Sequence, residues 1–409
     1  MKILSVHNVY RQGGGEDVVV DQESQLLRAH GHEVIEYRRS NRERGDDLFS
    51  KLYFARQSLW SRKAAAEIQA LICRRRPDVA HFHNTFPLIS PSSYWVCKRL
   101  GVPVVQTIHN YRMSCVRGDY FRADHVCEDC LGWKGPLPAL IHGCYRDSVA
   151  QTAAAAMVLA IHRVLGTWRD LVDVFLALNE FGRMKLIEAG VQPGKIIIKP
   201  NFVHPDPGVR KESSTDYALF AGRLSPEKRV LTLVKAWEKI KNVSLLIVGD
   251  GPKRVEISKA IGHGSLANVR MVGAVPRKEL LEMMKGAAVL LVPSEWYEMS
   301  PMVIVEAFAC GVPVVASRLG GMAELISDRK TGLLFRPGVV EDIRAKVAWA
   351  LEHPEELRQI SDNARQVFET RYTAEVNYPL IIQAYELALR RAAQNGHAER
   401  VVRDSRPSG

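Results

Sequence analysis

Two glutamates, Glu298 and Glu306, stand in a segment whose neighbours favour a ligand site. The apolar run Val289–Val292 predicts a buried strand before them. Pro301 suits the first turn of a following helix, because its fixed φ is helical and it lacks an N–H. Backbone N–H groups at the start of that helix would bind phosphate or sugar oxygens, and they come from Met299, Ser300 and Met302. The segment predicts a sugar-nucleotide site, with an ordinary helix carrying solvated glutamates as the alternative.

A second motif follows the predicted strand Tyr217–Phe220. Gly222 lets the backbone approach a ligand closely. Arg223 offers a planar fork of donors and Lys228 a compact charge, which together match a pyrophosphate. A third predicted strand, Ser244–Val248, ends in the turn Gly249–Gly251.

These three segments, in this order, resemble the retaining GT-B glycosyltransferases of family 4. The resemblance covers nearly the whole chain and is strongest over residues 217–335. It implies that Arg223 and Lys228 bind the donor diphosphate and that Glu306 binds the nucleotide ribose. It also implies that Glu298 lies beside the donor sugar. The resemblance, the glycine turn and the helix start together predict further donor-binding residues: Gly249, Gly251, Met299, Ser300, Pro301 and Met302.

A glycine-rich loop follows the first predicted strand, Ile3–Val6. It lacks the third glycine of a dinucleotide-binding motif, since Val18 stands there, and this weakens an NAD-binding hypothesis. The family resemblance implies that the loop lies near the donor phosphates, so Gly14 and Gly15 are further candidates for donor binding.

His109 follows the predicted strand Val104–Thr107, at the sheet edge where ligands bind in such folds. The family commonly has His-Asp here, whereas this chain has Asn110, which excludes a carboxylate base at that position. The resemblance implies that His109 contacts the transferred sugar. His109 and Asn110 are candidate acceptor residues, as are the polar residues that end the preceding strand: His81, His83 and Asn84. A purely structural role is the alternative, and it is favoured for His81.

Cysteines cluster in one part of the chain, as Cys115, Cys127, Cys130 and Cys144. The pair Cys127 and Cys130 has the short gap of a zinc knuckle. A second short gap is missing, so two interpretations stay open: a structural zinc beside the acceptor site, and thiols without a metal. Metal analysis of reduced protein distinguishes them.

Composition predicts a large cytoplasmic enzyme. The 409 residues exceed a single core, and 46% hydrophobic with 25% charged residues are globular values. The chain opens directly on a buried strand, so no signal peptide is expected. The net charge of +11 comes without a nucleic-acid-binding motif, which favours contact with an anionic membrane surface, at its inner face, over nucleic acid. A solvated basic surface is the alternative. The apolar segment 150–161 reads as a core helix, with a surface that dips into the membrane as the alternative.

Strands alternate with helices along the chain, which predicts an α/β fold of two Rossmann-like domains facing across a cleft. We expect an acceptor-binding domain over residues 1–203 and a nucleotide-sugar-binding domain over 204–374. The resemblance implies that a helix over 375–391 packs back on the first domain. The polar tail, 392–409, is predicted to be disordered.

The sequence therefore predicts a retaining glycosyltransferase that moves a sugar from a nucleotide-diphosphate sugar to a glycan or lipid-linked acceptor. The predicted catalytic residues are His109, Arg223, Lys228 and Glu298. No metal-binding Asp-x-Asp motif follows a strand, so catalysis is expected to need no cofactor. The alternatives are an epimerase or phosphorylase on the same fold and a non-catalytic sensor of sugar nucleotides.

Overall fold

The structure, a computed structural model, describes residues 1–10, 14–41, 48–132, 135–210 and 217–404. The chain forms two compact units. The first comprises Met1–Asp119, Glu128–Lys199 and the chain from Tyr378 onward. The second comprises Tyr120–Cys127 and Pro200–Asn377.

The strands of the described residues are, in chain order, β1 (Lys2–Val9), β2 (Glu33–Ser40), β3 (Val79–Phe82), β4 (Val104–Thr107), β5 (Phe121–Arg122), β6 (His125–Val126), β7 (Val174–Ala177), β8 (Ile196–Ile198), β9 (Tyr217–Ala221), β10 (Ser244–Val248), β11 (Val269–Gly273), β12 (Val289–Val292), β13 (Val314–Ser317) and β14 (Leu333–Phe335).

The α-helices are α1 (Gly15–Ala29), α2 (Leu48–Leu59), α3 (Arg62–Arg75), α4 (Ser92–Arg99), α5 (Leu137–His142), α6 (Val149–Val164), α7 (Thr167–Leu171), α8 (Glu180–Glu188), α9 (Val230–Trp237), α10 (Arg254–His263), α11 (Arg277–Lys285), α12 (Met302–Ala309), α13 (Gly320–Leu325), α14 (Val340–Glu352), α15 (Pro354–Arg371) and α16 (Ala374–Asp404).

The first unit is built on a parallel sheet with the strand order β2-β1-β3-β4-β7-β8. Every residue of β3 and β4 is buried, as expected of a parallel sheet that is covered on both faces. From β1 the chain turns to β2 on one side and later to β3 on the other. Ligands bind in open α/β sheets at the carboxyl ends of strands around such a switch point. The loops after β1, β3 and β4 therefore mark the binding edge of this unit.

The second unit contains a parallel sheet with the order β11-β10-β9-β12-β13-β14. Its core includes the fully buried Trp237 beneath β9 and β10. Here the switch point lies between β9 and β12, because the chain leaves β9 toward β10 and returns to its other side with β12. The loops after β9 and β12 carry the motifs that the sequence singled out.

The five strands whose bounds were predicted above are present as β1, β4, β9, β10 and β12, with ends that differ from the predictions by at most three residues. The hairpin of β5 and β6 was not predicted. It groups with the second unit, although the sequence placed residues 120–127 in the first domain. Arg229 pairs with Asp124 of this hairpin at 3.1 Å, and the rings of Tyr120 and Tyr297 lie 6.1 Å apart. These contacts are the physical reason for the difference.

The domain boundaries also differ. The first unit ends at Lys199 rather than after residue 203, and it resumes at Tyr378 within α16. Helix α16 continues to Asp404, past the predicted helix end at residue 391, and disorder of the tail stays a prediction. The physical reason is composition: the Ala, Gln, Glu and Arg of this stretch are strong helix formers, and the segment has no proline. The end of the predicted tail, 405–409, lies outside the described residues.

The apolar segment 150–161 forms most of α6. One face of α6 is buried, and it includes Ala155 and Leu159. Its other face is exposed, with Met157 53% and Val164 87% accessible. Among the described residues, none of the helices has the length and apolar character needed to cross a membrane.

Candidate functional site

In the second unit, Glu298 is buried beside Lys228. The Glu298 side chain is 7% exposed, and its Oε1 accepts hydrogen bonds from Lys228 Nζ and, at 2.8 Å, from Ser294 Oγ. The Lys228 ammonium also lies 5.7 Å from the centre of the Trp296 ring. A buried charge without a partner is costly, so this pair satisfies two charges at once. The sequence predicted the two residues for neighbouring parts of one ligand, and the structure brings them into contact.

Arg223 lies at the same edge of the sheet. It comes directly after Gly222 in the loop that follows β9, and its side chain is exposed. Among the ion pairs of the described residues, none involves Arg223. Its guanidinium is therefore open to an anionic ligand, which a planar fork of donors binds in bidentate fashion.

Helix α12 begins beside these charges. Pro301 is its N-cap rather than part of its first turn, and the cap makes no side-chain hydrogen bond. The first N–H groups of a helix have no partner inside the helix, so an uncapped start favours an anion. Ser300 Oγ, just before the cap, is buried without a hydrogen-bond partner. The Met299 and Met302 side chains, on either side of this helix start, are buried.

Glu306 lies on α12 with its side chain 9% exposed. Arg277 Nε donates to Glu306 Oε1 at 2.8 Å. Burial raises the pKa of the Glu306 carboxyl, and the Arg277 charge opposes that rise. Arg277 Nη2 is buried without a partner, so the pair retains hydrogen-bonding capacity for a ligand.

Gly249 and Gly251 have a packing role in this structure. A Cβ on Gly249, whose φ is +138°, would lie 1.9 Å from the Gly222 carbonyl oxygen. A Cβ on Gly251 would lie 2.5 Å from the Leu224 carbonyl oxygen. Both glycines allow the loop after β10 to pack on the loop after β9, which holds Gly222 and Arg223 in place. Their direct contact with a donor stays a prediction.

In the first unit, four histidines meet at the carboxyl ends of β1, β3 and β4. His83 Nδ1 and His109 Nε2 are hydrogen-bonded at 3.1 Å, and the two rings stack. His81 is bonded through one nitrogen to Thr107 Oγ1 at 2.7 Å and through the other to Tyr385 OH at 2.9 Å. The fourth, His7, meets the edge of the His83 ring.

The imidazoles of His81, His83 and His109 are held neutral near pH 7. Desolvation lowers the pKa of His81 to about 4 and the pKa of His83 and His109 well below their ordinary value. The positive Lys199 nearby acts in the same direction on each pKa. A neutral His109 offers a hydrogen bond to a ligand without adding a positive charge.

Beneath the histidines lies an ion pair between Lys199 and Glu23, both fully buried or nearly so. Glu23, His81 and His83 are a group of described side chains with ligand atoms close enough for a metal ion. The Lys199 ammonium donates to Glu23 Oε1, leaving Glu23 Oε2 without a hydrogen-bond partner, and both His81 nitrogens have partners. The group therefore fits an ion-pair network better than a cation site.

The start of α1 adds titratable groups to the same edge. His7 Nε2 is bonded to Asp17 Oδ1 at 2.7 Å, and the Gly14 N–H donates to Asp17 Oδ2 at 2.9 Å. Gly14 and Gly15 are exposed, and open space surrounds Gly14. Burial raises the pKa of Glu16 to about 7 despite the opposing effect of His7. The loop residues before Gly14, 11–13, lie outside the described residues.

The two candidate asparagines are engaged by the protein. Asn84 Nδ2 donates to the Asn8 carbonyl at 2.9 Å, and its Oδ1 accepts from the Phe86 N–H at 3.0 Å. Asn110 Oδ1 accepts from the Arg112 N–H at 3.2 Å. Asn84 thus positions the loop after β3, and acceptor binding by Asn84 and Asn110 stays a prediction.

The predicted zinc ligands differ in setting. Cys115 and Cys130 are buried, whereas Cys127 and Cys144 are half-buried. Cys127 groups with the second unit and the other three with the first. Among the described residues, no set of three ligand atoms close enough for a metal includes a cysteine. A structural zinc stays a prediction.

Comparison with known proteins identifies the family. The model for glycosyl transferases group 1 matches residues 206–367, and the model for glycosyltransferase family 4 matches residues 13–207. The chain belongs to the family 4 glycosyltransferases. Similar solved structures confirm the GT-B fold with its two Rossmann-like domains.

Among these structures, sucrose-phosphate synthase of Thermosynechococcus elongatus has a TM-score of 0.69 at 18% identity, covering 99% of this chain and 100% of that chain. Anabaena HepE in complex with UDP and glucose has a TM-score of 0.66 at 17% identity, covering 94% and 99%. The sulfoquinovosyl transferase SQD2 of Arabidopsis thaliana is 25% identical over 74% of this chain, and the match spans only 55% of that protein. N-acetyl-alpha-D-glucosaminyl L-malate synthase of Bacillus anthracis is 21% identical over 94% of this chain and 96% of its own length.

Sequence reasoning missed several residues of this glycosyltransferase that contact the candidate site: Glu23, Lys199, Arg112 and Arg277. No local pattern marks Arg277 or Lys199, because each meets its partner through the packing of segments distant in sequence. Glu16 and His7 could have been found from the sequence, because they lie on either side of the glycine-rich loop.

The raised pKa of Glu16 predicts a pH-dependent stability. Its pKa rises from an ordinary 4.5 to about 7 in the folded protein, so the folded state holds a proton that the unfolded state releases between those values. The free energy of unfolding should therefore fall as the pH rises from about 4.5 to about 7, by up to ~3 kcal/mol from this group. Urea unfolding of wild type and Glu16→Gln at pH 5 and pH 7.5 measures it.

Glu16→Gln should gain stability relative to wild type between the lower and the higher pH. Glu355→Gln, a change at an exposed carboxylate on α15, is the control and should show no such gain. The same stability difference between wild type and Glu16→Gln at both pH values would contradict the prediction.

Proposed function

We propose that this glycosyltransferase moves a sugar, with retention of its anomeric configuration, from a nucleotide-diphosphate sugar to an acceptor hydroxyl. The pathway would be polysaccharide, lipopolysaccharide or glycolipid synthesis. The observation that carries the proposal is the open Arg223 guanidinium beside Lys228 and the uncapped start of α12. These groups supply donors for a diphosphate. The complexes of Anabaena HepE with UDP and with UDP-glucose support a donor of this class.

In the proposed reaction, the bond between the anomeric carbon and the diphosphate oxygen breaks as the acceptor oxygen bonds to that carbon on the same face. The acceptor proton passes to the departing phosphate oxygen. Arg223, Lys228 and the N–H groups of α12 stabilise the charge that develops on the leaving group. No protein carboxylate is required as the base, which agrees with Asn110 in place of an acid.

The transferred sugar becomes positively charged in an oxocarbenium-like transition state. Glu298 would stabilise that charge once the diphosphate has taken over Lys228. His109 would contact the sugar as a neutral imidazole, because its lowered pKa keeps a second positive charge away from the reacting carbon. Glu306 would accept hydrogen bonds from the ribose hydroxyls while retaining Arg277.

The diphosphate contacts predict a large effect of two substitutions. Arg223→Ala and Lys228→Ala should each lower turnover about tenfold or more, since a hydrogen bond to a charged group contributes ~1.5–3 kcal/mol. Arg223→Ala should leave the melting temperature unchanged, whereas Lys228→Ala should lower it because Glu298 loses its buried partner. Transfer from nucleotide sugars, first chosen by thermal shift, is the measurement.

Arg270→Ala removes an exposed arginine of β11 and is the matched control. Turnover near the wild-type value in both Arg223→Ala and Lys228→Ala would remove the basis of the proposed donor site. A protein that binds nucleotide sugars and transfers none would instead favour the sensor alternative.

Substitutions of the two glutamates should affect different kinetic constants. Glu306→Gln should mainly weaken donor binding and raise KM, because the ribose is bound equally in the ground state and the transition state. Glu298→Gln should mainly lower kcat, because its interaction strengthens as positive charge develops. The control is Glu279→Gln on the exposed face of α11. Unchanged kinetics in Glu298→Gln and Glu306→Gln would indicate that the start of α12 is an ordinary helix start without a ligand site.

We also propose that the first unit contacts an anionic membrane, at its inner face in the cytoplasm. The supporting feature is an exposed apolar surface on α5 and α6, formed by Leu137, Ile141, Val149, Met157, Ile161 and Val164. Arg146 and Arg163 adjoin this surface, and the chain carries a net charge of +11. An apolar face with basic neighbours is typical of a helix that lies in the membrane interface.

Sedimentation with lipid vesicles tests this contact. The wild type should bind vesicles that contain phosphatidylglycerol more strongly than vesicles of phosphatidylcholine alone, and Met157→Glu with Val164→Glu should reduce the bound fraction severalfold. Val255→Glu, at a valine 65% exposed on α10 of the other unit, is the control. Equal binding by the double variant and the control would exclude this surface.

A further inference from the structure

A cavity opens beside His109 within the first unit. Its empty space is about 710 Å³, including part that is open to solvent. Most of its wall is apolar or aromatic, formed by Phe86, Tyr94, Ile108, Val116, Ala155, Val158, Leu159 and Trp168. The wall also includes polar residues, among them Thr85, Gln106 and Thr107. Its apolar residues suit a hydrocarbon chain, and its polar residues suit the hydroxyl-bearing part of the same ligand.

Arg112 lies in the wall of this cavity, next to Asn110. Its guanidinium stacks 4.3 Å from the centre of the Phe86 ring and 5.5 Å from the Tyr145 ring. Its one side-chain hydrogen bond is a long one, 3.4 Å, to the Val116 carbonyl. No carboxylate of the described part of the chain forms an ion pair with it. The Glu16 carboxyl lies near enough for the Arg112 charge to lower its pKa, without forming an ion pair. The aromatic rings therefore fix the orientation of a guanidinium that can still bind an anionic ligand directly.

A second apolar cavity, with about 380 Å³ of empty space including part that is open to solvent, shares Phe86 and Ala155 with the first. Its other walls are largely apolar and lie between α2 and α6, with Phe54, Pro87 and Ala154 among them. The outer side of α6 is the exposed apolar surface described above. Apolar space thus continues from Arg112 toward a face of the unit that is itself apolar.

We propose that these two cavities bind the hydrocarbon chain of an amphipathic acceptor, and that Arg112 binds an anionic group where the chain joins the polar part. The acceptor class is a sugar or other hydroxyl-bearing group linked through a phosphate to an alkyl or isoprenyl chain. This inference rests on the proposed function only in that the ligand of the cavities is taken to be the acceptor of the transferred sugar. The binding of an alkyl phosphate is independent of sugar transfer.

Alkyl phosphates of increasing length are the probes, with calorimetry on the full chain in the absence of a donor. Affinity should rise about fourfold per added methylene from butyl to octyl phosphate, as expected for burial of each methylene. Inorganic phosphate should bind far more weakly than octyl phosphate, and so should octyl glucoside, which lacks the charge. An affinity that does not depend on chain length would overturn the proposal.

Substitutions locate the site. Val158→Trp fills the first cavity and should lower the affinity for octyl phosphate at least tenfold, and Met113→Trp, at a half-buried wall residue, does the same with less disturbance of the core. Arg112→Gln should lower the affinity for octyl phosphate to that for octyl glucoside. Met184→Trp on α8, at a methionine 45% exposed and outside both cavities, is the matched control.

The melting temperature of each variant confirms that it folds. Wild-type affinity for octyl phosphate in both folded tryptophan variants would overturn the cavity as the binding site. No donor is present in this experiment, so its failure would leave the proposed donor site unaffected. Equally, a failure to transfer sugar would not contradict binding of the hydrocarbon chain.

Discussion

Parallel strand pairing around a switch point is the constraint on which the rest of this structure depends. In the second unit, β9 has β10 on one side and β12 on the other, so the loops after β9 and β12 leave the sheet at the same edge. That topology alone brings Arg223 and Lys228 together with Glu298, which is far away in sequence. The glycine pair at Gly249 and Gly251 then fixes the loops at a spacing that any side chain would disturb.

Buried charges impose the second constraint. Lys199 with Glu23, Lys228 with Glu298 and Arg277 with Glu306 are each partly or fully removed from water and each paired. A charge buried alone would cost several kcal/mol, so the pairs make the unliganded site stable. The last two pairs differ from the first, because they include the residues proposed to bind the donor. Binding a diphosphate would compete with Glu298 for Lys228, whereas the exposed Arg223 is open from the start.

The two units differ in the polarity of their binding edges. The second unit presents cations, an uncapped helix start and a paired carboxylate, which suit a charged, hydroxyl-rich ligand. The first presents neutral histidines beside a partly apolar cavity, with Arg112 stacked on aromatic rings. This division fits a transferase whose donor is polar throughout and whose acceptor joins a polar group to an apolar chain.

The sequence by itself determined the strands of the two parallel sheets, their alternation with helices and the fold class, because apolar runs are local signals. It also located the glycine, arginine and glutamate motifs that are proposed to bind the donor. It did not determine that Lys228 contacts Glu298, that Arg277 holds Glu306, or that Asn84 serves the backbone, since each depends on which segments pack together. It also misjudged the end of α16, where helix propensity outweighed a polar composition. Only the tertiary structure decided the pKa of His109 and Glu16, because burial, which shifts a pKa most, is a property of the folded chain and not of its spacing.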